Sequence, residues 1–275
     1  MQLSRFWRLR GLDGLGLMRA RYVSHAFARH GHETFAVGVI QSGAEEIRFA
    51  DGVERIGPGG LVLIGPEVVH TGVALTDNGW AYRVLYPSAG LMSELAGTRG
   101  TPRFIERVVD DDRAARLVLR AHAATETEDR LTAETLMRRA LAGLLRSYGG
   151  VPSAVPVRSS GGAFSERARE VLHERMTEPP GLEELAAEVG VGWSTLVRAF
   201  RDAYGLPPHA YLTQLRVRAA CRLLERGIPP AEVAPMVGFY DQAHLSRHFR
   251  RLVGVPPGGY QQGGRIVQAP SPGSA

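Results

Sequence analysis

The stretch FRDAYGLPPHAY, residues 200–211, is followed 49 residues later by FRRLVGVPPGGY, residues 249–260, and six of the twelve positions are identical. In both copies a helical pattern ends at a glycine and two prolines follow, which is a common way for a helix to stop. A leucine stands four residues before the phenylalanine in both copies, so that the two side chains share one helix face. The chain therefore encodes the same helix and turn twice.

The outward faces of the two predicted helices also match. With the phenylalanines aligned, Arg198 corresponds to Arg247, and in the same way Arg201 corresponds to Arg250. A duplicated core requires only the apolar residues, the glycine and the prolines, so the matched arginines indicate a duplicated surface. A helix in a DNA major groove uses residues near its N-terminus to contact base edges, and its arginines reach guanines or phosphates. For each arginine taken alone, an ordinary solvated charge is the alternative interpretation.

The segment between the copies favours one arrangement of the two helices. Residues 209–226 form an amphipathic helical pattern that is about 27 Å long at 1.5 Å per residue. This length is of the order needed to set two helices one DNA turn, ~34 Å, apart. Residues 193–251 carry nine arginines against four carboxylates, a local charge of +5. The sequence therefore predicts double-stranded DNA as a partner.

Composition limits the other possibilities. The chain has 275 residues, a net charge of +5 and no lysine, because all 33 basic residues are arginine. Its single cysteine, Cys221, excludes an internal disulfide and fits a reducing compartment. No apolar run approaches the ~18 residues of a membrane span. We find no phosphate-binding glycine loop, nucleophile elbow or CxxC pair. We therefore expect a cytoplasmic protein that is not an enzyme, has no cofactor and does not bind membranes.

The two halves of the chain differ in their periodicity. From about residue 25 to residue 87, short alternating runs are separated by turn residues such as Asp51-Gly52, which predicts a small antiparallel barrel or jelly roll. Leucine-rich helical patterns occupy about 102–148, and a Gly, Pro and Ser-rich linker covers 149–162. The remainder is helical almost to its end. The predicted fold class is α+β, with a β-barrel and helices followed by an all-α domain.

Two segments resemble parts of known regulators. VGFYDQAHLSRHFRRLVGVPPGGY, residues 237–260, together with LAAEVGV, residues 185–191, is similar to the double helix-turn-helix DNA-binding domain of AraC/XylS-type transcription regulators. Residues 20–90, which include HGHETFAVGVIQSG, resemble the cupin-like effector-binding domain that precedes it in many of these proteins. The resemblance implies an effector-binding and dimerisation domain at 1–148, the linker at 149–162, the DNA-binding domain at 163–262 and a flexible tail at 263–275.

The resemblance also assigns base contacts. In the first unit they fall on Ser194, Val197 and Arg198, and the repeat adds the outward Arg201; in the second unit they fall on Gln242, Ala243, Ser246 and Arg247, and the repeat adds Arg250. Val197 offers no hydrogen bond, so we expect the first unit to read less sequence. Gly192 stands where the family often has a capping serine. Pro235 is expected to break a short helix that is usually uninterrupted.

In the barrel, the candidate effector-binding residues are His30, His32, His70, Trp80 and Tyr82. An H-x-H pair with a distant third histidine can bind a metal. However, Glu67-Val68-Val69 does not follow the pattern of cupin enzymes, so we interpret the histidines as pocket or structural residues and expect no metal. Alternation puts Trp80 and Tyr82 on one face of a strand opposite Arg83, although a bulge would let all three approach the pocket. Aromatic core packing is the simpler interpretation of Trp80 and Tyr82.

The sequence thus predicts a DNA-binding transcription regulator that responds to a small-molecule effector. By resemblance, the helices at 104–146 supply homodimer contacts, and RNA polymerase is a further partner. One alternative is a metal-dependent cupin enzyme with an attached helical domain. Another is a DNA-binding protein whose barrel serves only for dimerisation.

Overall fold

The computed structural model describes residues 3–9, 11–127, 129–150 and 162–263, and the backbone of 267–268. The chain divides into two compact units, Met1–Ala154 with Gln262–Ala275, and Val155–Gln261. Of the predicted linker, Gly149 and Gly150 belong to a strand and Gly162 begins a helix. The rest of the predicted linker, 151–161, lies outside the described residues, as does most of the predicted tail.

The first unit is mainly antiparallel. Its strands are β1 Leu3–Arg8, β2 Leu15–Tyr22, β3 Ala26–His30, β4 Ala36–Gly43, β5 Glu45–Arg48, β6 Val53–Ile56, β7 Leu61–Ile64, β8 His70–Ala74, β9 Trp80–Pro87, β10 Arg103–Phe104, β11 Val108–Val109, β12 Gly149–Gly150 and β13 Val267–Gln268. A seven-stranded sheet has the order β11-β7-β4-β9-β2-β1-β13, and a four-stranded sheet has the order β3-β8-β5-β6. A small third sheet pairs β10 with β12. The six strands predicted between residues 34 and 86 are confirmed as β4 to β9, whereas β3 was not predicted.

Strands β1 and β2 were not predicted. They pair along their length, from Leu3 opposite Arg21 to Arg8 opposite Gly16. The signal was present in Asp13-Gly14, a hairpin dipeptide, and Gly14 has φ +77°, which favours glycine over residues with a Cβ. Asp13 and Gly14 interrupt the apolar pattern of the N-terminal residues because they form the turn between β1 and β2.

The seven-stranded sheet buries both of its faces. On one face, Leu17, Val37 and Leu85 pack against helices α2 Asp112–Thr127 and α3 Arg130–Tyr148, near the short helix α1 Ala89–Ala96. The opposite face meets the four-stranded sheet, where Phe27 of β3 lies beside Trp80 of β9. Side chains alternate along a strand, so each strand of the large sheet serves the helical layer and the space between the sheets in turn. That space holds the candidate effector residues.

The second unit is helical. Its helices are α4 Gly162–Glu174, α5 Leu182–Glu188, α6 Trp193–Tyr204, α7 Pro208–Glu225, α8 Pro230–Met236, α9 Gln242–Val253 and α10 Pro257–Gln262. α5 with α6 and α8 with α9 form the two helix-turn-helix units, and α7 contacts both α6 and α9. In each unit the leucine and phenylalanine of the repeat are fully buried: Leu196, Phe200, Leu245 and Phe249.

The repeat extends to the backbone of the turns. Gly190 and Gly238 follow the first helix of each unit with φ of +73° and +85°, and Gly205 and Gly254 end the second helix with φ of +72° and +82°. The expectation that Pro235 breaks its helix was wrong. α8 runs to Met236 through Pro235, which lies in the last turn, where the loss of one donor interrupts little of the helix.

Candidate DNA interface and effector pocket

Helices α6 and α9 are built alike but begin differently. The Asp241 carboxylate caps α9 by accepting from the backbone N–H of His244 at 2.7 Å. α6 begins after Gly192, which provides no side-chain cap, as the sequence indicated. An N-cap side chain contributes about 1 kcal/mol to helix stability. The N-terminus of α9, which carries its base-contact candidates, is therefore more stably capped than that of α6.

The nine predicted DNA-contacting residues lie on the outer faces of these two helices. Two of them, Val197 and Ser246, are half-buried at the edge of the core. The other seven are exposed to solvent: Ser194, Arg198, Arg201, Gln242, Ala243, Arg247 and Arg250. Each helix therefore presents a polar surface opposite its buried leucine and phenylalanine, and the contacts of that surface with bases stay a prediction.

Electrostatics sets these two faces apart from the rest of the unit. On α4, Arg167 lies 3.2 Å from a carboxylate oxygen of Glu170, and Arg175, just beyond α4, lies 3.2 Å from one of Glu184. By contrast, within the part of the chain that the structure describes, no carboxylate lies within 4.0 Å of the guanidinium groups of the four repeat arginines, Arg198, Arg201, Arg247 and Arg250. Their positive charge is therefore available to an external anion, and the planar guanidinium suits phosphate and guanine.

Two exposed aromatic residues border the same faces, and the sequence patterns did not single them out. Trp193, the first residue of α6, is 56% exposed, and Tyr240, in the turn before α9, is 91% exposed. Large aromatic side chains are usually buried in part, so their exposure beside the arginines is informative. Their position at the N-terminal ends of the two helices, next to the predicted base-contacting residues, could have identified them from the sequence.

Arg216 of α7 connects parts of the unit that are distant in sequence. Its side chain donates to the carbonyl oxygens of Met176 at 2.9 Å and Thr177 at 3.3 Å, before α5. Its guanidinium also lies 6.0 Å from the ring centre of Phe239, in the turn of the second unit. Burial lowers the pKa of Arg216. α7 thus holds the segment that leads into the first helix-turn-helix unit close to the turn of the second.

In the sheet-rich unit, three of the five effector candidates form one cluster. The ring centres of His30 and His32 are 4.6 Å apart, those of His30 and His70 are 4.6 Å apart, and those of His32 and His70 are 5.2 Å apart. His30 and His70 are buried, whereas His32 is half-buried. Burial lowers the pKa of His70, which favours its neutral form. Such a cluster offers imidazole nitrogen atoms at the edge of the space between the sheets.

The two other candidates lie among aromatic rings. Trp80 and Tyr82 stack with ring centres 6.1 Å apart, and Tyr22 of β2 lies 5.4 Å from Trp80. Phe27 lies between this group and the histidines. Its ring centre is 5.7 Å from that of His30 and 6.5 Å from that of Trp80. Both Trp80 and Tyr82 are buried, as core packing requires. The five predicted residues therefore belong to one continuous set of side chains between the sheets.

Arg83 points the other way, as alternation predicted. It donates to Glu126 of α2 at 2.5 Å, and its guanidinium lies 2.7 Å from the Nδ1 atom of His122. Burial and the nearby guanidinium lower the pKa of His122 to about 3, so this imidazole is neutral at physiological pH. Arg83 therefore belongs to the contact between the sheet and its helices, on the face opposite Trp80 and Tyr82.

Glu45 is a buried acidic residue of β5 that the sequence patterns did not identify. It is buried, and its carboxyl group packs directly over Gly72, where an added Cβ would collide with the Oε1 atom. Burial raises the pKa of Glu45 to about 8, which keeps the group mostly protonated at neutral pH. Its signal was the alternation of β5, where Glu45 and Ile47 share one buried face. A neutral carboxyl among aromatic rings can both donate and accept a hydrogen bond.

Comparison with known proteins agrees with this two-part design. The family model described as "AraC-like ligand binding domain" matches residues 14–141, and the model described as "Helix-turn-helix domain" matches residues 185–263. The chain belongs to the AraC family of transcription regulators. It is a sequence-specific DNA-binding regulator that responds to a small-molecule effector.

Individual relatives support the same assignment. The uncharacterised HTH-type transcriptional regulator YbfI of Bacillus subtilis is 28% identical over 234 residues, which are 82% of this chain and 84% of that protein. The HTH-type transcriptional regulator GbdR of Pseudomonas aeruginosa is 31% identical over 118 residues, 42% of this chain and 32% of that protein. Apo ToxT K231A of Vibrio cholerae has the same fold, with a TM-score of 0.54 and 12% identity over 96% of this chain and 98% of that chain.

The fold class and the relatives also bear on the predictions made from the sequence. The predicted α+β fold class, with a sheet-rich N-terminal domain and a helical C-terminal domain, is confirmed. In the part of the chain that the structure describes, no helix has the length and hydropathy needed to cross a bilayer. YbfI and GbdR are described as transcriptional regulators, which makes the cupin-enzyme alternative the weaker one.

Proposed function

We propose that α6 and α9 are the two helices that read double-stranded DNA, each entering the major groove with its N-terminal half. The observation that carries this proposal is the pair of matched arginine faces, which have no carboxylate partners among the described residues. Arg198 and Arg247 lie nearest the N-terminal ends and are the base-contact candidates. Arg201 and Arg250 lie one turn further on and suit phosphates. Trp193 and Tyr240 would border the groove and add contacts to the DNA backbone.

The two helices differ in their expected contribution to specificity. α9 offers Gln242, Ser246 and Arg247, which can all form hydrogen bonds with base edges. α6 offers Ser194 and Arg198, while the half-buried Val197 offers only apolar contact, for example with a thymine methyl group. The second helix also has the better N-cap. The second unit should therefore carry more of the sequence preference, with the first unit serving mainly to position the protein.

For the effector, we assign the space between the two sheets, bounded by His30, His32 and His70 at one end and by Trp80 and Tyr82 at the other. A solved structure of wild-type ToxT from Vibrio cholerae has an unsaturated fatty acid bound to that protein. In the chain described here, the neutral Glu45 carboxyl and the histidines favour a small ligand with both polar and apolar parts. The effector switches the protein by binding one of its conformations more tightly than another. The proposed activity is binding without catalysis.

The remaining parts of the proposal concern assembly. A homodimer formed through α2 and α3 would place two DNA-binding units on one operator, and RNA polymerase would be contacted at the promoter. Both proposals rest on the family resemblance, and the cytoplasm is the compartment they require. The proposed domain limits are 1–148, 149–162, 163–262 and 263–275.

The test is a mobility-shift titration with the full chain on DNA fragments selected from the source genome. Arg198→Ala and Arg247→Ala should each cost on the order of 1–3 kcal/mol in specific binding. Arg167→Ala is the matched control, because that arginine is already paired with carboxylates. Wild-type affinity for both Arg198→Ala and Arg247→Ala would remove the base-reading roles.

A further inference from the structure

The three clustered histidines have the arrangement of a metal site. Each offers a ring nitrogen, and these atoms all lie within 4.8 Å of one another. Around a tetrahedral ion with metal–nitrogen distances of about 2.0–2.1 Å, ligand nitrogen atoms are separated by about 3.4 Å. The cluster therefore needs to contract by about 1.4 Å between its most distant nitrogen atoms, which small rotations of the imidazole rings provide.

The orientation of two of the rings is fixed by the backbone. The Nδ1 atom of His30 lies 2.7 Å from the carbonyl oxygen of Ala28, and that of His70 lies 2.8 Å from the carbonyl oxygen of Val68. A carbonyl oxygen can only accept, so Nδ1 carries the hydrogen in both rings and Nε2 carries the lone pair. Metal-binding histidines are typically held in this way, by donating their second nitrogen to a carbonyl or carboxylate group.

The backbone also ties the two histidine-bearing segments together. The N–H of Glu67 donates to the carbonyl oxygen of His32 at 2.7 Å, which links the H-x-H segment to the turn that leads into β8. Glu67 has φ +62°, alone among the non-glycine residues that the structure describes. Gly31 packs closely against the Glu67 backbone. A Cβ added at residue 31 would lie 3.3 Å from that backbone, which is a tight contact that glycine avoids. A left-handed non-glycine residue is costly and is often kept at a functional site.

The exposure of the cluster suits a site with an open position. His30 and His70 are 4% and 7% exposed, whereas His32 is half-buried. Aromatic rings surround the cluster, with Phe49 at 6.1 Å from His70 and Tyr86 at 5.4 Å from His32. A set of three imidazoles suits Zn²⁺ and its neighbours in the transition series, and three protein ligands leave a fourth position for another molecule.

We propose that His30, His32 and His70 bind one divalent transition-metal ion of the zinc type, with an open coordination position that faces the effector space. Binding of the ion depends only on the three imidazoles. Its use, which is to hold an oxygen or nitrogen donor of the effector, rests on the proposed effector function. The metal revises the interpretation of the histidines as simple pocket residues and requires no catalytic activity.

The test is titration of the metal-stripped full chain with Zn²⁺, measured by calorimetry in a buffer that contains a weak competing chelator. Wild type should bind one equivalent per chain. His32→Ala should weaken this binding on the order of 100-fold or more, since changing even outer-shell partners costs 10–100-fold. His25→Ala, in the same unit but outside the cluster, and His248→Ala, in α9, should bind as wild type does. Co²⁺ should give the visible spectrum of a four-coordinate site in wild type, and this spectrum should be absent in His32→Ala.

Folding and DNA binding are measured on the same samples. These measurements distinguish a failure of the metal site from a failure of the proposed DNA-binding function. His32 is the most exposed of the three ligands, and His32→Gln provides a second variant of more similar size. A wild-type chain that takes up no stoichiometric Zn²⁺, or a folded His32→Ala that binds it as tightly as wild type, overturns the metal site. If DNA binding is retained in either case, the proposed function stands without the metal. If DNA binding is absent while Zn²⁺ is bound, the metal site stands and the proposed function fails.

Discussion

Glu45 and Glu46 are neighbours on β5, and their ionisation should change the stability of the folded chain with pH in opposite directions. Burial raises the pKa of Glu45 from an ordinary 4.5 to about 8. A carboxyl group with a raised pKa destabilises the folded state once the unfolded chain has lost the proton, so stability falls as pH rises from 4.5 to 8. The slope is about 1.4 kcal/mol for each pH unit within that window. At pH 7 the cost is therefore on the order of 3 kcal/mol as an upper estimate.

Replacing Glu45 by Gln should remove this cost, because the amide is uncharged at every pH and has a similar shape. We expect Glu45→Gln to be more stable than wild type at pH 8 and nearly equal to it at pH 5. Urea unfolding followed by tryptophan fluorescence measures the difference. Trp7 and Trp80 are buried in the sheet-rich unit, whereas Trp193 in the helical unit is already 56% exposed and should change less.

Glu46→Gln is the matched control on the same strand. Hydrogen bonds from Arg55 and Arg48 lower the pKa of Glu46, so its contribution is present above its ordinary pKa and is lost as pH falls. Glu46→Gln should therefore be less stable than wild type at pH 8, the opposite of Glu45→Gln. A Glu45→Gln chain that is destabilised at pH 8, or whose stability differs from wild type equally at pH 5 and pH 8, would refute the assignment of a buried neutral carboxyl.

Other predictions concern the DNA-binding unit. Arg201→Ala and Arg250→Ala should each lower the salt dependence of DNA binding by about 0.9 in the slope of log K against log salt, and unchanged slopes would exclude phosphate contacts. Asp241→Ala should destabilise the helical unit by about 1 kcal/mol in urea unfolding, since it removes the N-cap of α9. Gly192→Ser should stabilise the same unit by about a few tenths of a kcal/mol, because glycine is itself an acceptable N-cap; a loss of stability would show that the backbone there requires glycine.

The DNA-binding unit could be predicted in detail from the sequence because its signals are local. Helix periodicity and the glycines that end each helix act within a few residues, and in the structure α6 ends at Tyr204 and α9 at Val253, each directly before the glycine of the repeat. The prediction for Pro235 failed because its cost depends on position within the helix. A proline in the last turn of a seven-residue helix removes little hydrogen bonding.

The barrel was predicted less completely because its contacts join distant segments. Strands β4 to β9 were recognised, yet the pairing of β1 with β2 depends on partners that periodicity does not identify. The convergence of His70 with His30 and His32 follows from the pairing of β3 with β8, where His30 lies opposite His70. The H-x-H spacing suggested these residues, but only the sheet register shows how close their rings lie.

Helices α6 and α9 are proposed to read one DNA duplex in two adjacent major-groove segments. Methylation protection of a bound operator tests this proposal. The method reports on guanine N7 atoms, which lie in the major groove. We expect two protected segments about one helical turn, ~34 Å, apart for each bound DNA-binding unit. Arg198→Ala should lose protection in one segment, and Arg247→Ala should lose it in the other. A single protected segment, or loss of the same segment in both variants, would exclude reading by both helices.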